Sequence, residues 1–118
     1  MMNRVCVLCT PRSGSQLCAN LIINHIHALD LGEYFETWNQ SKFVVNEDGT
    51  MMLDEHLAID SSFNISYDYS TRLELLEKAN KSQPMVVRLF MMEKYDKQVL
   101  QTILNKLKDL GFTFVCLE

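Results

Sequence analysis

The run Thr10-Pro11-Arg12-Ser13-Gly14-Ser15-Gln16 gathers the residue types that hold a tetrahedral anion. It separates the apolar run Val5-Cys6-Val7-Leu8-Cys9 from a segment with helical spacing, so a loop between a first strand and a first helix is expected. A helix N-terminus presents unpaired backbone N–H groups and the positive end of the helix dipole. Gly14 lets the backbone approach an anion closely, and Ser13 and Ser15 add hydroxyl donors. Arg12 supplies a fixed charge on a planar fork that grips two oxygens, and the Gln16 amide is a further donor. Together these describe a cradle for a phosphate or phosphosulfate group. The plain alternative is an ordinary turn with a solvent-facing arginine, and the position after an N-terminal buried strand favours the cradle.

Other chemistries compete for the same residues. A Walker A loop needs G-x-x-x-x-G-K-[ST], and no Gly-Lys pair occurs in the chain. Cys6 through Ser13 also reads C-x5-R-S, the spacing of cysteine-dependent phosphatases. Against it, Cys6 lies in an apolar strand, where burial raises a thiol pKa, and Val7 to Pro11 contains no glycine to curl around a phosphate. No Asp-Pro supplies a general acid, since the prolines are Pro11 and Pro84. Cys6 and Cys9 spell C-x-x-C, but an offset of three on a strand points two side chains to opposite faces. His25 and His27 are about 200° apart on a helix and cannot share one ion, and His25 reads as a hydrogen-bonded core residue. His56 with Asp54, Glu55 and Asp60 reads as a polar loop, so no metal is expected.

Helices and parallel strands must position the loop. Leu17, Cys18, Leu21, Ile22, Ile26 and Leu29 give the first helix an apolar stripe, with Gly32 just beyond its end. The aromatic stretch Glu33 to Trp38 is either a second strand or an ordered loop. In it, Tyr34 and Trp38 can stack on an adenine or sugar or cover the sheet edge. Residues 39–69 are hard to read. Asn46-Glu47-Asp48-Gly49 between Phe43-Val44-Val45 and Met51-Met52-Leu53 allows a small hairpin or an irregular insertion. Thr71-Arg72-Leu73-Glu74 matches a capping box, with Leu73, Leu76 and Ala79 on the apolar face behind it. Pro84 introduces a strand from Met85 to Phe90. From about Asp96 to Leu110, Val99, Leu100, Ile103, Leu104, Leu107 and Leu110 make one helical stripe capped by Gly111, and Phe112 to Leu117 is a last strand. Strands alternating with helices imply an α/β fold, a three-layer sandwich with a mainly parallel sheet, whose ligand crevice lies at the carboxyl ends of the strands.

The bulk numbers fit one domain over residues 1–118: 47% of residues are hydrophobic and 22% charged. A net charge of -4 gives no basic field for nucleic acid, so any anion site must be local. No stretch approaches a membrane span or a signal peptide, which makes a cytoplasmic protein the expectation.

Val7 to Leu17 resembles the 5′-phosphosulfate loop of sulfotransferases, a strand followed by PRSGST-L and a helix. It is most similar to the Stf0-type branch, in which the first helix is followed by a glycine and a Glu-aromatic-Phe triplet, as in Gly32-Glu33-Tyr34-Phe35. Val87-Arg88-Leu89-Phe90-Met91 is similar to a later family strand bearing a basic residue, and Phe114 to Glu118 to the strand before the 3′-phosphate motif. The resemblance implies a P-loop-like sulfotransferase fold and transfer of a sulfuryl group from PAPS (3′-phosphoadenosine 5′-phosphosulfate) to an acceptor hydroxyl of a carbohydrate or small molecule. It implies that Arg12, Ser13, Gly14, Ser15 and Gln16 bind the cosubstrate, that Arg12 also offsets charge on the bridging oxygen, and that Glu33 is the general base. Arg88 would face the substrate, its alternative being a strand-end salt bridge. A homodimer is a further expectation.

The sequence departs from the family pattern in three places. Gln16 replaces a threonine, Arg88 replaces a lysine, and the arginine and more distant serine that grip the 3′-phosphate would follow Glu118. The chain is therefore expected to correspond to the N-terminal portion of the fold, incomplete at its C-terminus. Two other functions stay open: a non-catalytic anion-binding remnant that pairs with another chain through its last strand, and more distantly the cysteine phosphatase.

Overall fold

In the computed structural model, residues 3–9, 14–32, 34–35, 43–53, 69–90 and 97–116 are described. Four strands form a parallel sheet: β1 (Arg4–Cys9), β2 (Leu29–Gly32), β5 (Met85–Phe90) and β6 (Thr113–Cys116), in the order β2-β5-β1-β6. A separate antiparallel hairpin joins β3 (Phe43–Val45) to β4 (Met51–Leu53). The helices are α1 (Ser15–Ile26), α2 (Tyr69–Lys78) and α3 (Lys97–Asp109). A mixed α/β fold with a parallel sheet is therefore as expected.

Alternation along the strands divides the core between the two faces of the sheet. Val5, Val7 and Cys9 of β1 and Val86 of β5 pack with Ala19, Ile22, Ile23 and Ile26 of α1. Cys6, Met85, Val87 and Leu89 pack on the other face with Leu73 and Leu76 of α2 and Ile103 and Leu107 of α3. Helices thus cover both faces, which is why Val5 to Cys9 of β1 reads as a continuous apolar run and β5 is apolar apart from Arg88. Cys6 and Cys9 fall in different clusters, as their spacing on a strand requires.

Three details of the elements differ from the sequence expectation. The sheet-facing stripe of α1 is Ala19, Ile22, Ile23 and Ile26, whereas Leu17 and Leu21 are 68% and 64% exposed. A stripe at i, i+3, i+4 and i+7 suffices for burial, and the β-branched isoleucines, not the leucines, take it against the sheet valines. His25 is consequently exposed and not a core residue. The helix also ends earlier than Gly32: His27 takes the left-handed conformation (φ 53, ψ 50) and its N–H donates to the carbonyl of Ile23. Leu29 to Gly32 then form a strand instead of a helical end. Finally, α2 begins at Tyr69, so Thr71 lies inside the helix and is not its cap.

The hairpin is real and is fastened at its turn. Gly49 (φ 87) stands against the side chain of Asn80, whose backbone N–H donates to the Gly49 carbonyl at 2.8 Å. The Gln83 amide pairs with both backbone groups of Met51, accepting from its N–H at 2.8 Å and donating to its carbonyl at 2.7 Å. Asn80 and Gln83 thereby lock the hairpin to the α2–β5 turn.

Candidate functional site

The site is built on the carboxyl end of β1. The strand is buried almost throughout, ends at Cys9 and pairs with β5 so that Cys9 lies opposite Phe90. The connection leaving β1 leads to α1 on one face of the sheet, while that leaving β5 leads to α3 on the other. Adjacent strands whose connections diverge in this way define a topological switch point, and ligands of open α/β sheets bind in the crevice there. Counting only the sheet strands in chain order, the arrangement is 2-3-1-4, which is neither the Rossmann nor the flavodoxin-like order.

Gly14 closes the loop as the N-cap of α1, with φ 79 and ψ 21. That left-handed conformation costs a residue with a Cβ roughly 1–2 kcal/mol and costs glycine nothing comparable. No atom lies within 4 Å of where a Cβ would stand, so the backbone conformation and not crowding requires the glycine. Gly14 offers no capping side chain, and the first turn of α1 contains no acidic residue. The helix dipole is therefore unopposed at that end by a carboxylate of its own first turn. Ser15 opens the helix and Gln16 follows with an exposed side chain. Arg12 and Ser13 lie outside the described residues, as do Thr10 and Pro11.

Glu33 also lies outside the described residues, but both of its neighbours are placed. Gly32 ends β2 with φ 59, and its N–H donates to Asp30 Oδ1 at 2.8 Å. Tyr34 is fully buried, and its hydroxyl donates to the carbonyl of Arg72 at 2.9 Å. Its ring belongs to the core beside Phe35 and Phe43, so it is not available to stack on an adenine or sugar. Trp38, the other aromatic considered for that role, is outside the described residues.

Arg88 is half-buried in β5, opposite Val7 of β1 and on the face that α1 covers. Its Nη2 lies 3.8 Å from where a Cβ on Gly32 would stand. The structure therefore brings Arg88 beside the residue that precedes Glu33, at ordinary van der Waals distance from where a Gly32 side chain would begin. The β2, β5 and β1 ends carry Gly32, Arg88 and Gly14 toward one edge of the sheet.

Cys6 behaves as its strand position demands. Burial, with a smaller contribution from Cys9, pushes its thiol from an ordinary 9.0 up to about 12. A thiol so disposed is not a nucleophile near neutral pH. Among the described residues no three His, Cys, Asp or Glu side chains gather into a metal-binding group, and no helix is long and apolar enough to cross a membrane. His56, Asp54, Glu55 and Asp60 lie outside those residues.

Composition and motif gave no sign of one structurally central residue, Arg4. It is 1% exposed at the amino end of β1, opposite the candidate site. Its guanidinium donates to the carbonyls of Asn80 at 2.6 Å, Leu110 at 3.0 Å and Gln83 at 3.3 Å, and lies over the Phe112 ring. The only hint was a charged residue directly adjoining a buried apolar run.

Against family models, curated proteins and solved structures, the chain gives no match.

Proposed function

We propose that the chain is a sulfotransferase-like protein that binds the 5′-phosphosulfate of PAPS at the β1–α1 loop and transfers the sulfuryl group to an acceptor hydroxyl. The observation that carries this reading is the left-handed Gly14 at the start of α1, at the carboxyl end of a central buried strand and at the sheet's switch point. A helix N-terminus without acidic residues, reached through a glycine, suits a multiply charged anion. The residues from Arg12 to Gln16 supply the donors, and Arg12 offsets the charge that accumulates on the bridging oxygen as the leaving group departs.

In this reading Glu33 takes the proton of the acceptor hydroxyl as the new oxygen–sulfur bond forms. The bond between sulfur and the bridging oxygen breaks, and its electron pair leaves with the 5′-phosphate of adenosine 3′,5′-bisphosphate. Arg88 places a cation beside Gly32, the residue that precedes Glu33 in the chain, and is assigned to the sulfuryl group or the acceptor. The seating of Gly32 and Tyr34 on either side of Glu33 at the end of β2 supports this assignment.

The test is a titration with adenosine 3′,5′-bisphosphate followed by backbone amide shifts. Changes centred on residues 14–17 and on Gly32 are expected. Changes elsewhere, or none, would remove the reading. A second reading keeps the anion cradle without turnover and pairs the chain with another through β6. The edge position of β6 and its uncharged residues favour it, because unguarded edges invite pairing. Acceptor-dependent formation of adenosine 3′,5′-bisphosphate from PAPS separates the two.

A further inference from the structure

Two stripes of the same spacing run along α1. Ala19, Ile22, Ile23 and Ile26 meet the sheet, and Leu17, Asn20, Leu21 and Asn24 repeat the i, i+3, i+4, i+7 pattern on the exposed side. Gln16 and His25 flank this second stripe, and all six side chains are exposed. Among the described residues, Leu17 and Leu21 are the most exposed of the large hydrophobics. None of the twelve residues of α1 is Asp, Glu, Lys or Arg. The other helices carry the charges expected of a solvated face: Arg72, Glu74, Glu77 and Lys78 on α2, and Lys97, Lys106, Lys108 and Asp109 on α3. Single apolar side chains on a surface are ordinary. Two leucines one turn apart on a helix face without charge are a different matter, because depletion of charge marks the centre of an interface.

We infer that the stripe from Leu17 to Asn24 is the contact through which two copies of this chain associate. A two-fold contact sets one patch against itself, so side chains near the axis meet their own kind. Charged residues repel there, whereas leucine packs on leucine and the amides of Asn20 and Asn24 both donate and accept. Of the three described helices, α1 meets that condition, in a chain whose net charge of -4 otherwise opposes self-association. The same neutrality argues against other occupants. Lipid surfaces and nucleic acids are held through Lys and Arg, and a charged peptide needs opposite charges, none of which α1 supplies. A twelve-residue helix is about 18 Å long, so the contact falls at the small end of protein interfaces and the association is expected to be weak. This surface is distinct from the edge of β6, and its use does not depend on what the β1–α1 loop binds.

The test is analytical ultracentrifugation of the whole 118-residue chain from about 10 μM to about 1 mM, in reductant so that exposed Cys116 cannot link copies. Wild type is expected to pass from monomer to dimer across that range. Leu21 lies near the middle of the stripe and hence close to its own copy, so Leu21→Glu should weaken dimerisation by about tenfold or more through like-charge contact. The side chain is 64% exposed, so the monomer fold is retained, which circular dichroism checks. Mixing Leu21→Glu with Leu21→Lys should restore a dimer containing one copy of each. Met52→Glu adds the same charge at an exposed position on β4 and should leave the dissociation constant within about twofold of wild type. The inference is overturned by a wild type still monomeric at the highest concentration, by a dimer that survives Leu21→Glu, by a mixture that stays monomeric, or by an equal loss in Met52→Glu.

Discussion

Arg4 Nη1 donates to the carbonyl of Leu110 at 3.0 Å, joining the start of the central strand to the end of α3. With the carbonyls of Asn80 and Gln83 as its other acceptors, one planar guanidinium closes two turns at the amino edge of the sheet. Burial lowers its pKa, yet five donors in a fixed fork make arginine the side chain suited to three carbonyls at once.

Arg4→Met should therefore cost about 2–4 kcal/mol in urea unfolding, since it strands buried acceptors. Arg4→Lys should fall between the two, because one ammonium cannot span all three carbonyls. Nucleotide binding per folded molecule should be unaffected by either change, because Arg4 and the candidate site occupy opposite ends of β1.

Cys6 links stability to alkaline pH. Its folded-state pKa of about 12 exceeds the ordinary 9.0, so between these values the folded chain holds a proton that the unfolded chain releases. The contribution is complete below about pH 9 and is lost as pH rises toward 12. Denaturant unfolding of wild type should weaken across that window more steeply than unfolding of Cys6→Ala. In native protein at pH 8, a thiol reagent should modify exposed Cys116 and half-buried Cys18 well before Cys6 or Cys9.

Gly14→Ala tests the loop backbone. There is room for the added methyl, so the loss should come from the positive φ alone, about 1 kcal/mol by thermal or chemical unfolding. Gly14→Asn should recover part of it, since asparagine tolerates the left-handed region better than alanine.

Gly49→Ala should be costlier than Gly14→Ala. At Gly49 a methyl meets the Asn80 side chain as well as a positive φ, and the loss should reach about 2 kcal/mol or more. Combining it with Asn80→Ala should show non-additivity, because the second change removes the obstacle.

Much of the fold was legible because its signals are local. A continuous apolar run marked β1, the segment after Pro84 marked β5, and a complete stripe marked α3, while the Asn46–Gly49 turn allowed the hairpin without deciding for it over an irregular insertion. The rotation of α1 was not legible: Leu17 and Leu21 match a helical stripe as well as Ile22 and Ile26 do. Only the neighbouring valines decide which stripe turns inward. Gly32 read as a helix stop because glycine serves both there and at the end of β2, and the actual stop is His27, an uncommon residue for a left-handed cap. Arg4 and Tyr34 were missed as core elements because their partners are backbone carbonyls distant in sequence, which no spacing rule records. At the candidate site the loop could be read from its residue types. The divergence of the connections that leave β1 and β5 depends on strand order and needed the structure.

The most direct measurement is calorimetric titration of adenosine 3′,5′-bisphosphate into wild type and Arg12→Ala. Loss of a charge-assisted hydrogen bond of about 1.5–3 kcal/mol should weaken binding by roughly tenfold to a hundredfold or more. Binding by wild type with that loss in the variant is the predicted result. Equal affinity in the two proteins, or no binding by wild type, would contradict the account.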